Sequence, residues 1–428
     1  MRGKFTAAAL LGVAAAVALA GCGSNTPAGG GSTGAGDGAK TEIKVWLVGT
    51  DTPQDARDYL KKTFEEQNKG ATLTVEEQQW SGLVDKYTTA LAGSSAPDVV
   101  EVGNTQATTF TSAGYFTDLT DKYEELGGDD MLQGFVEAGS YKGKFYAAPY
   151  YSGARVVTYS TDLVTAPVPT TWDEYMTDIK NATTDTMSGI YLPGKDWRDM
   201  MSFVWVNGGQ IATQGDDGKW TAGFSTPEGI KGLTQAQEML AYSKFPKDGT
   251  EGDQQIPFCA GQIAYLPAPS WISGSIAAAP DADAPGCSDT YAAEGKLHQF
   301  AAPGLTAGSY APVLAGGSNI AIAAKSKNQD LAYKAMQILL SDDYQKLLAG
   351  VGMVPALSSQ AKFMPDNENS KAASAAASAA ISTPASPDWA TVESSQILED
   401  SFSKLASGTA PADVAQLLDD SINKQLNK

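Results

Sequence analysis

Strands alternate with amphipathic helices over residues 42–114, and this alternation constrains the fold more than any other feature of the chain. Residues 42–48 carry apolar side chains at every second position, which predicts a strand. Apolar residues then recur every fourth position over 56–64, which predicts a helix. Strands with helices after them are predicted again at 73–75 and 97–102. Such an order indicates an α/β fold with a mainly parallel sheet.

Later helices are predicted from similar patterns. Capping boxes predict helices that begin at Thr171 and Ser225. Apolar periodicity predicts one helix at 330–349 and two at the C-terminus, around 389–405 and 411–426. The Ala/Ser-rich residues 371–381 are predicted to form a weakly packed helix or a loop.

The first twenty-two residues have the pattern of an export signal. A basic head at residues 2–4 precedes an apolar run at 5–20, which is too short to span a bilayer stably. The run ends in LAGC, with Cys22 last, and resembles the bacterial lipobox, whose cysteine is acylated after cleavage. We therefore predict a signal peptide at 1–21 and lipidation of Cys22; the alternative is an ordinary secretory signal with an incidental cysteine. The Gly/Ser/Thr-rich residues 22–40 are predicted to form a flexible tether.

The charge balance excludes several classes of partner. The formal net charge is −19, so nucleic acid and an anionic lipid surface are not expected partners, because phosphates need clustered Lys and Arg. His298 is the single histidine of the chain. This argues against a metal site and against a Ser-His-Asp triad, so neither a metal nor a cofactor is predicted.

Two cysteines remain after Cys22 is set aside. Cys259 and Cys287 form an even pair in a chain that is predicted to be exported, and such pairs form disulfides in oxidising compartments. A bridge would stabilise the fold by roughly 3–4 kcal/mol through constraint of the unfolded chain. The alternative is two buried free thiols.

Several motifs, in order along the chain, resemble those of a transport family. They are IKVW at 43–46, APDVVE at 96–101, GKFYAAPYY at 143–151, RVVTYSTDL at 155–163, GQIA at 261–264 with Trp271, GGS at 316–318 and VP at 354–355. Together they resemble the family 1 extracellular solute-binding proteins of ABC carbohydrate importers, which include sugar binders similar to maltose-binding protein. The resemblance covers nearly all of residues 41–428.

This resemblance implies a two-lobed α/β fold of the periplasmic-binding-protein (Venus-flytrap) type, with hinge-linked mixed sheets. The first lobe is expected at 41–149 plus 313–352. The second is expected at 156–307 plus 357–428. The crossings between the lobes would lie near residues 150–155, 308–312 and 353–356.

Aromatic side chains at predicted strand ends and crossings are the first ligand candidates. A neutral sugar offers hydroxyls and weakly apolar ring faces, so its site needs flat aromatic platforms with polar neighbours. Trp80 follows the second strand, and open α/β sheets bind ligands at strand ends. Tyr150, Tyr151, Trp205 and Trp271 complete the set. The alternative for Trp80 is packing between a strand and a helix.

The polar ligand candidates occupy similar places. Arg155 stands at the first predicted crossing, where it would donate to sugar hydroxyls or form an interlobe or surface ion pair. Asp51 follows the first strand and would accept from hydroxyls or cap the next helix. Asn104 follows the strand at 97–102. Ser318 follows Gly316-Gly317, whose presence turn formation alone would explain.

These observations favour a binding protein over an enzyme. The predicted ligand is a neutral mono- or oligosaccharide, and the predicted partners are ABC permease subunits. We expect a monomer attached to the outer face of a Gram-positive cytoplasmic membrane through its lipid anchor alone. The alternatives are the same fold with a charged solute, a polyamine or glycerol phosphate, or a secreted glycoside hydrolase with two catalytic carboxylates.

Overall fold

The structure, a computed structural model, describes residues 40–428 except 50, 81 and 282–284. The predicted signal peptide, Cys22 and the tether up to residue 39 lie outside the described residues. In the part of the chain that is described, no helix is long and apolar enough to cross a membrane.

The strands, in chain order, are β1 (Thr41–Val48), β2 (Ala71–Gln78), β3 (Val99–Gly103), β4 (Ser140–Tyr141), β5 (Lys144–Phe145), β6 (Ala147–Ser152), β7 (Arg155–Ser160), β8 (Ser188–Ile190), β9 (Gln210–Gln214), β10 (Trp220–Gly223), β11 (Ile263–Pro269), β12 (Leu297–Phe300), β13 (Val313–Leu314), β14 (Gly317–Ile322), β15 (Val354–Pro355) and β16 (Ala380–Ile381).

The helices are α1 (Gln54–Gln67), α2 (Leu83–Ala92), α3 (Asn104–Ser112), α4 (Gln133–Ala138), α5 (Trp172–Ala182), α6 (Trp197–Val206), α7 (Pro227–Leu240), α8 (Gln255–Cys259), α9 (Ile272–Ile276), α10 (Gln329–Leu339), α11 (Asp342–Gly350), α12 (Glu368–Ser378), α13 (Trp389–Ser394), α14 (Ile397–Ala406) and α15 (Pro411–Leu426).

The first large sheet has the strand order β15-β6-β14-β3-β1-β2. β1 pairs in parallel with β2 and β3, whereas β14 is antiparallel to both β3 and β6. The sheet is therefore mixed, as the family resemblance implies. Helix α1 buries Ala56, Leu60 and Phe64 in the core of this sheet, together with residues of α10 and α11. Burial of a side chain as large as Phe64 stabilises the fold by about 2 kcal/mol.

A second sheet has the order β12-β7-β11-β8 and its own core. Trp172 of α5 and Trp197 of α6 are fully buried in that core. Trp389 of α13 is buried with them, so the C-terminal helices pack on the second sheet although they follow strands of the first. Two sheets with separate cores make this a two-lobed α/β fold.

The chain passes from the first sheet to the second between Ser152, the last residue of β6, and Arg155, the first of β7. The lobes also meet through α3 and α13. There the Thr105 hydroxyl donates to the Glu393 carboxylate at 3.1 Å, and Thr109 donates to the Pro387 carbonyl at 3.0 Å. The predicted residue limits of the lobes and crossings stay a prediction.

The predicted disulfide is present. Cys259 and Cys287 are bridged with their Cα atoms 5.4 Å apart. The bridge joins α8 to the segment after α9 and closes a loop of sequence separation 28, which carries β11 and Trp271.

Candidate functional site

The site lies at the edge of the first sheet where three parallel strands end. β14 is antiparallel to both of its neighbours, so β6 runs parallel to β3, and β3 runs parallel to β1. Their carboxyl ends, at Val48, Gly103 and Ser152, therefore share one edge. Ligands of open α/β sheets bind outside that edge.

Trp80 stands over this edge with 41% of its surface exposed. Its ring contacts two strand ends that lack side chains. A Cβ atom on Gly49 would lie 3.2 Å from Trp80 Nε1, and one on Gly103 would lie 3.3 Å from Cζ3. The indole N–H donates to Asp51 Oδ2 at 3.3 Å. Two glycines and one carboxylate thus contact the ring at the edge.

Asp51 and Glu101 are joined through Tyr151. The Tyr151 hydroxyl lies 3.3 Å from Asp51 Oδ2 and 3.0 Å from Glu101 Oε1. Glu101 Oε2 accepts from the backbone N–H of Val48 at 2.8 Å. Ser318, which lies between β3 and β6 and is fully buried, approaches the Tyr151 hydroxyl at 3.5 Å. One polar network therefore ties together the ends of β1, β3, β6 and β14.

Burial governs the charge of these carboxyl groups. It raises the pKa of Asp51, and the hydrogen bonds from Trp80 and Tyr151 offset part of that rise. Burial raises the pKa of Glu101 to about 7, against hydrogen bonds that favour the charged form. The carboxyl group of Glu101 is fully buried, whereas Asp51 is half-buried. Of the two, Asp51 can accept a hydrogen bond from a ligand.

Trp271 brings a second exposed ring to the same edge from the second sheet. It follows β11, is 39% exposed, and would lie 3.3 Å from a Cβ atom on Gly153. Gly153 directly follows β6, and β14 alone separates β6 from β3. With strands about 4.8 Å apart, Gly103 beneath Trp80 and Gly153 beneath Trp271 are about 10 Å apart across the sheet. The edge therefore carries two aromatic platforms with a carboxylate beside one of them.

Three other predicted ligand residues are buried away from solvent. Tyr150 lies in the first core, and its hydroxyl bonds to Thr52 at 2.8 Å and to Tyr344 at 2.6 Å. Trp205 lies in the second core with 4% exposure. The Asn104 amide donates to the Ala315 carbonyl at 2.6 Å and so ties α3 to the segment before β14. All three side chains are therefore held by contacts within the protein.

Arg155 is enclosed by carboxylates of its own lobe. Its guanidinium lies 2.7 Å from Asp199 Oδ1 and 2.5 Å from Glu251 Oε2, and the side chain is 5% exposed. Arg155 therefore forms an ion pair, and this ion pair is buried within one lobe. Burial and the neighbouring Asp199 raise the pKa of Asp196 well above its usual range. The carboxylate oxygens of Asp196, Asp199 and Glu251 lie within 4.8 Å of one another, but Arg155 supplies the cation that they share.

Glu101 is the functional candidate that the sequence reasoning missed. A signal existed, because Glu101 is the single charged residue in the buried strand β3, Val99–Gly103. An acidic side chain in such a strand must find buried donors or stay protonated. Gly49 and Gly103 were missed too, since nothing in their local sequence shows that an indole ring lies on them.

Comparisons with known proteins identify the family of the chain. The pattern of the family described as bacterial extracellular solute-binding protein matches residues 60–379. The chain belongs to that family. It is 33% identical to the diacetylchitobiose binding protein DasA of Streptomyces coelicolor over 419 residues, which cover 96% of each protein. It is 25% identical to the mannitol-binding protein of Pseudomonas aeruginosa over 230 residues, which cover 51% of each.

Solved structures share the fold. The GacH receptor of Streptomyces glaucescens, studied unliganded and with acarbose, aligns with a TM-score of 0.76 and 20% identity over 91% of this chain and 99% of its own. The sugar-binding protein MalE of Xanthomonas citri aligns with a TM-score of 0.78 and 19% identity over 90% and 98%. The predicted two-lobed fold and family are thereby confirmed.

Proposed function

We propose that this protein captures a neutral sugar between its lobes and delivers it to an ABC permease. The observation that carries the proposal is the pair of exposed indole rings, Trp80 and Trp271, on one sheet edge with Asp51 beside them. Flat rings stack on sugar ring faces, and a carboxylate accepts from sugar hydroxyls. Tyr151 and Ser318 would act from beneath Asp51.

The sugar proposed for the first test is diacetylchitobiose, or a neutral oligosaccharide close to it. The relative DasA is described as a binding protein for that disaccharide, and it matches this chain over nearly its whole length. Two aromatic platforms whose supporting glycines, Gly103 and Gly153, are about 10 Å apart suit a ligand with more than one sugar ring.

Capture would proceed by a shift between open and closed states. A sugar that contacts Trp80 on one lobe and Trp271 on the other gains most contacts when the cleft is closed, and it therefore stabilises that state. The closed form would present the surface that permease subunits recognise.

Attachment to the cell is part of the same proposal. Lipidation of Cys22 would hold the protein at the outer face of the cytoplasmic membrane of a Gram-positive cell, with residues 22–40 as tether and residues 1–21 removed. The anchored protein would act as a monomer.

The Asp51–Glu101 pair is the feature that could support the alternative function, a glycoside hydrolase. Glycoside hydrolysis requires two carboxyl groups that both reach the scissile bond. Glu101 is fully buried and is capped by Val48 N–H and Tyr151. It therefore cannot reach a bound sugar, and the family match also favours a binding protein.

Calorimetric titration tests the proposal directly. The purified protein would be titrated with diacetylchitobiose, maltooligosaccharides, monosaccharides, polyamines and glycerol phosphate. We expect binding of a sugar and weakening by at least about 30-fold, about 2 kcal/mol, in Trp271→Ala, since a buried aromatic contact is worth this much. Leu417→Ala is the control, because Leu417 is 37% exposed on α15, which packs on α7 and β10. Binding of a charged solute alone would contradict the neutral-sugar proposal.

Gly103→Ala tests whether the position of the Trp80 ring against Gly103 matters for sugar binding. Its backbone conformation, with φ −56° and ψ 137°, accepts an L-residue, but the new Cβ would press on the indole ring. We expect the stability to change by less than about 1 kcal/mol and the sugar affinity to fall about tenfold as the ring shifts. Gly252→Ala, whose Cβ would meet no atom within 4 Å, is the control. Unchanged affinity in Gly103→Ala would show that the position of Trp80 does not matter to the ligand.

A further inference from the structure

The Tyr151 hydroxyl occupies a position that one hydrogen atom cannot satisfy. It lies 3.0 Å from Glu101 Oε1 and 3.3 Å from Asp51 Oδ2, and both oxygens accept when their carboxyl groups are ionised. If Tyr151 donates to Glu101, Asp51 keeps the Trp80 indole N–H as its donor in this network. If Glu101 carries a proton, it can donate to the Tyr151 oxygen, and Tyr151 then donates to Asp51.

These two arrangements differ by one proton, which solvent supplies. In the second arrangement Asp51 Oδ2 accepts from both Tyr151 and Trp80, so the carboxylate and the ring are held together. Oδ1 then stays directed to other donors such as a sugar hydroxyl. In the first arrangement two negative carboxyl groups face one hydroxyl in a buried place, which is unfavourable.

We propose that Glu101 is a positioning residue of the sugar site, which takes up one proton when sugar binds and thereby turns the Tyr151 hydroxyl toward Asp51. This rests on the proposed function, because it requires a sugar above Trp80. Closure of the cleft removes water from the edge, and loss of water favours the neutral form of a buried carboxyl group.

The groups around Glu101 support this direction. Those that face it or its partner Asp51 are Asp51 itself after β1, Arg57 on α1, Tyr87 on α2, Tyr150 and Tyr151 on β6, and Tyr344 on α11. Arg57 lowers the pKa of Asp51, and Asp51 raises that of Glu101. The pKa of Glu101 is about 7, so the proton is exchanged at physiological pH.

Proton uptake by Glu101 determines how the sugar affinity depends on pH. Sugar binding that favours protonated Glu101 raises its pKa in the complex, so affinity is highest below pH 7 and falls as the pH rises through that pKa. For a rise of one unit, affinity for diacetylchitobiose at pH 8 would be about fivefold weaker than at pH 6. The sugar is neutral and adds no titration of its own.

The test compares the protein with Glu101→Gln, in which the amide mimics the protonated carboxyl group. Its oxygen can accept from Val48 N–H and its NH₂ can donate to Tyr151. We expect the variant to bind diacetylchitobiose equally at pH 6 and pH 8, with the affinity of the unmodified protein at pH 6. Calorimetry at pH 7.5 in buffers of different ionisation enthalpy should detect uptake of about half a proton in the unmodified protein and none in the variant.

Glu125→Gln is the matched control, because Glu125 is exposed and bonds to Lys122 and Gln337 instead of to Asp51 or Tyr151. It should keep the pH profile and the proton uptake. Thermal unfolding checks that both variants fold. Sugar binding that is tight and independent of pH would overturn the role of Glu101 and leave the proposed function standing. Absence of sugar binding at every pH would overturn both.

Discussion

Replacement of Arg155 by methionine should lower the free energy of unfolding by about 3–5 kcal/mol, the largest effect that we expect of a single substitution. Arg155 is 5% exposed and is the cation for Asp199 and Glu251. Its removal leaves these carboxyl groups buried beside Asp196 without compensation. Urea unfolding at pH 8 measures the loss.

The deficit should shrink as the pH falls. The charge of Arg155 lowers the pKa of Glu251 against the effect of burial, so the pair stabilises the fold above the unfolded pKa of Glu251 and this contribution is lost at acid pH. In the variant, protonation at low pH removes the uncompensated negative charge of the buried carboxyl groups. The variant should therefore differ less from the unmodified protein at pH 4 than at pH 8.

Arg198→Met is the control for this experiment. Arg198 is 36% exposed and lies 3.4 Å from Glu251, so we expect a loss of about 1 kcal/mol or less. Normal stability of Arg155→Met combined with loss of sugar binding would contradict the ion-pair role. It would indicate that Arg155 binds the ligand.

Removal of the disulfide is expected to have the second largest effect. The double variant Cys259→Ala/Cys287→Ala releases a loop of sequence separation 28, which should cost roughly 3–4 kcal/mol of stability. The loop carries Trp271, so we also expect weaker sugar binding. Alanine is preferred to serine because Cys287 is 3% exposed and a hydroxyl would be buried there.

Reductant provides the matched comparison. Urea unfolding of the unmodified protein with dithiothreitol should approach that of the double variant, while the variant itself should not respond. Equal stability of the oxidised protein and the double variant would show that other contacts already constrain this loop.

Local periodicity predicted some helices but misplaced several boundaries. The apolar pattern of 330–349 predicted one helix, yet the chain ends α10 at Leu339 and starts α11 after Ser341, whose hydroxyl accepts from Tyr344 N–H. Helix α7 is capped by Thr226 and not by Ser225. The Ala/Ser segment predicted as a weakly packed helix or loop is helix α12, which buries Ala372, Ala373 and Ala376. The helix predicted around 389–405 is divided into α13 and α14.

The candidate site shows why sequence could name residue types but not their places. Trp80, Trp205 and Trp271 all follow or precede turns and could not be told apart by spacing. The structure exposes two and buries Trp205 in the second core. Tyr150 and Tyr151 are adjacent on β6, where a bulge in the pairing with β14 interrupts the usual alternation, and their ring centroids lie 5.0 Å apart in the first core. One meets Tyr344 in the core and the other meets Glu101 at the edge.

The sequence by itself determined the α/β class, the pairing of Cys259 with Cys287 and the family, because each is carried by local periodicity, composition or ordered motifs. Tertiary structure decided which aromatic rings stay exposed and what neutralises Arg155. It also brought Glu101 into contact with Tyr151, and Tyr151 into contact with Asp51. These pairs are separated by 50 and 100 residues in the sequence. Burial and hydrogen bonding depend on such distant partners. Local sequence patterns therefore cannot reveal the geometry or the charge of the candidate site.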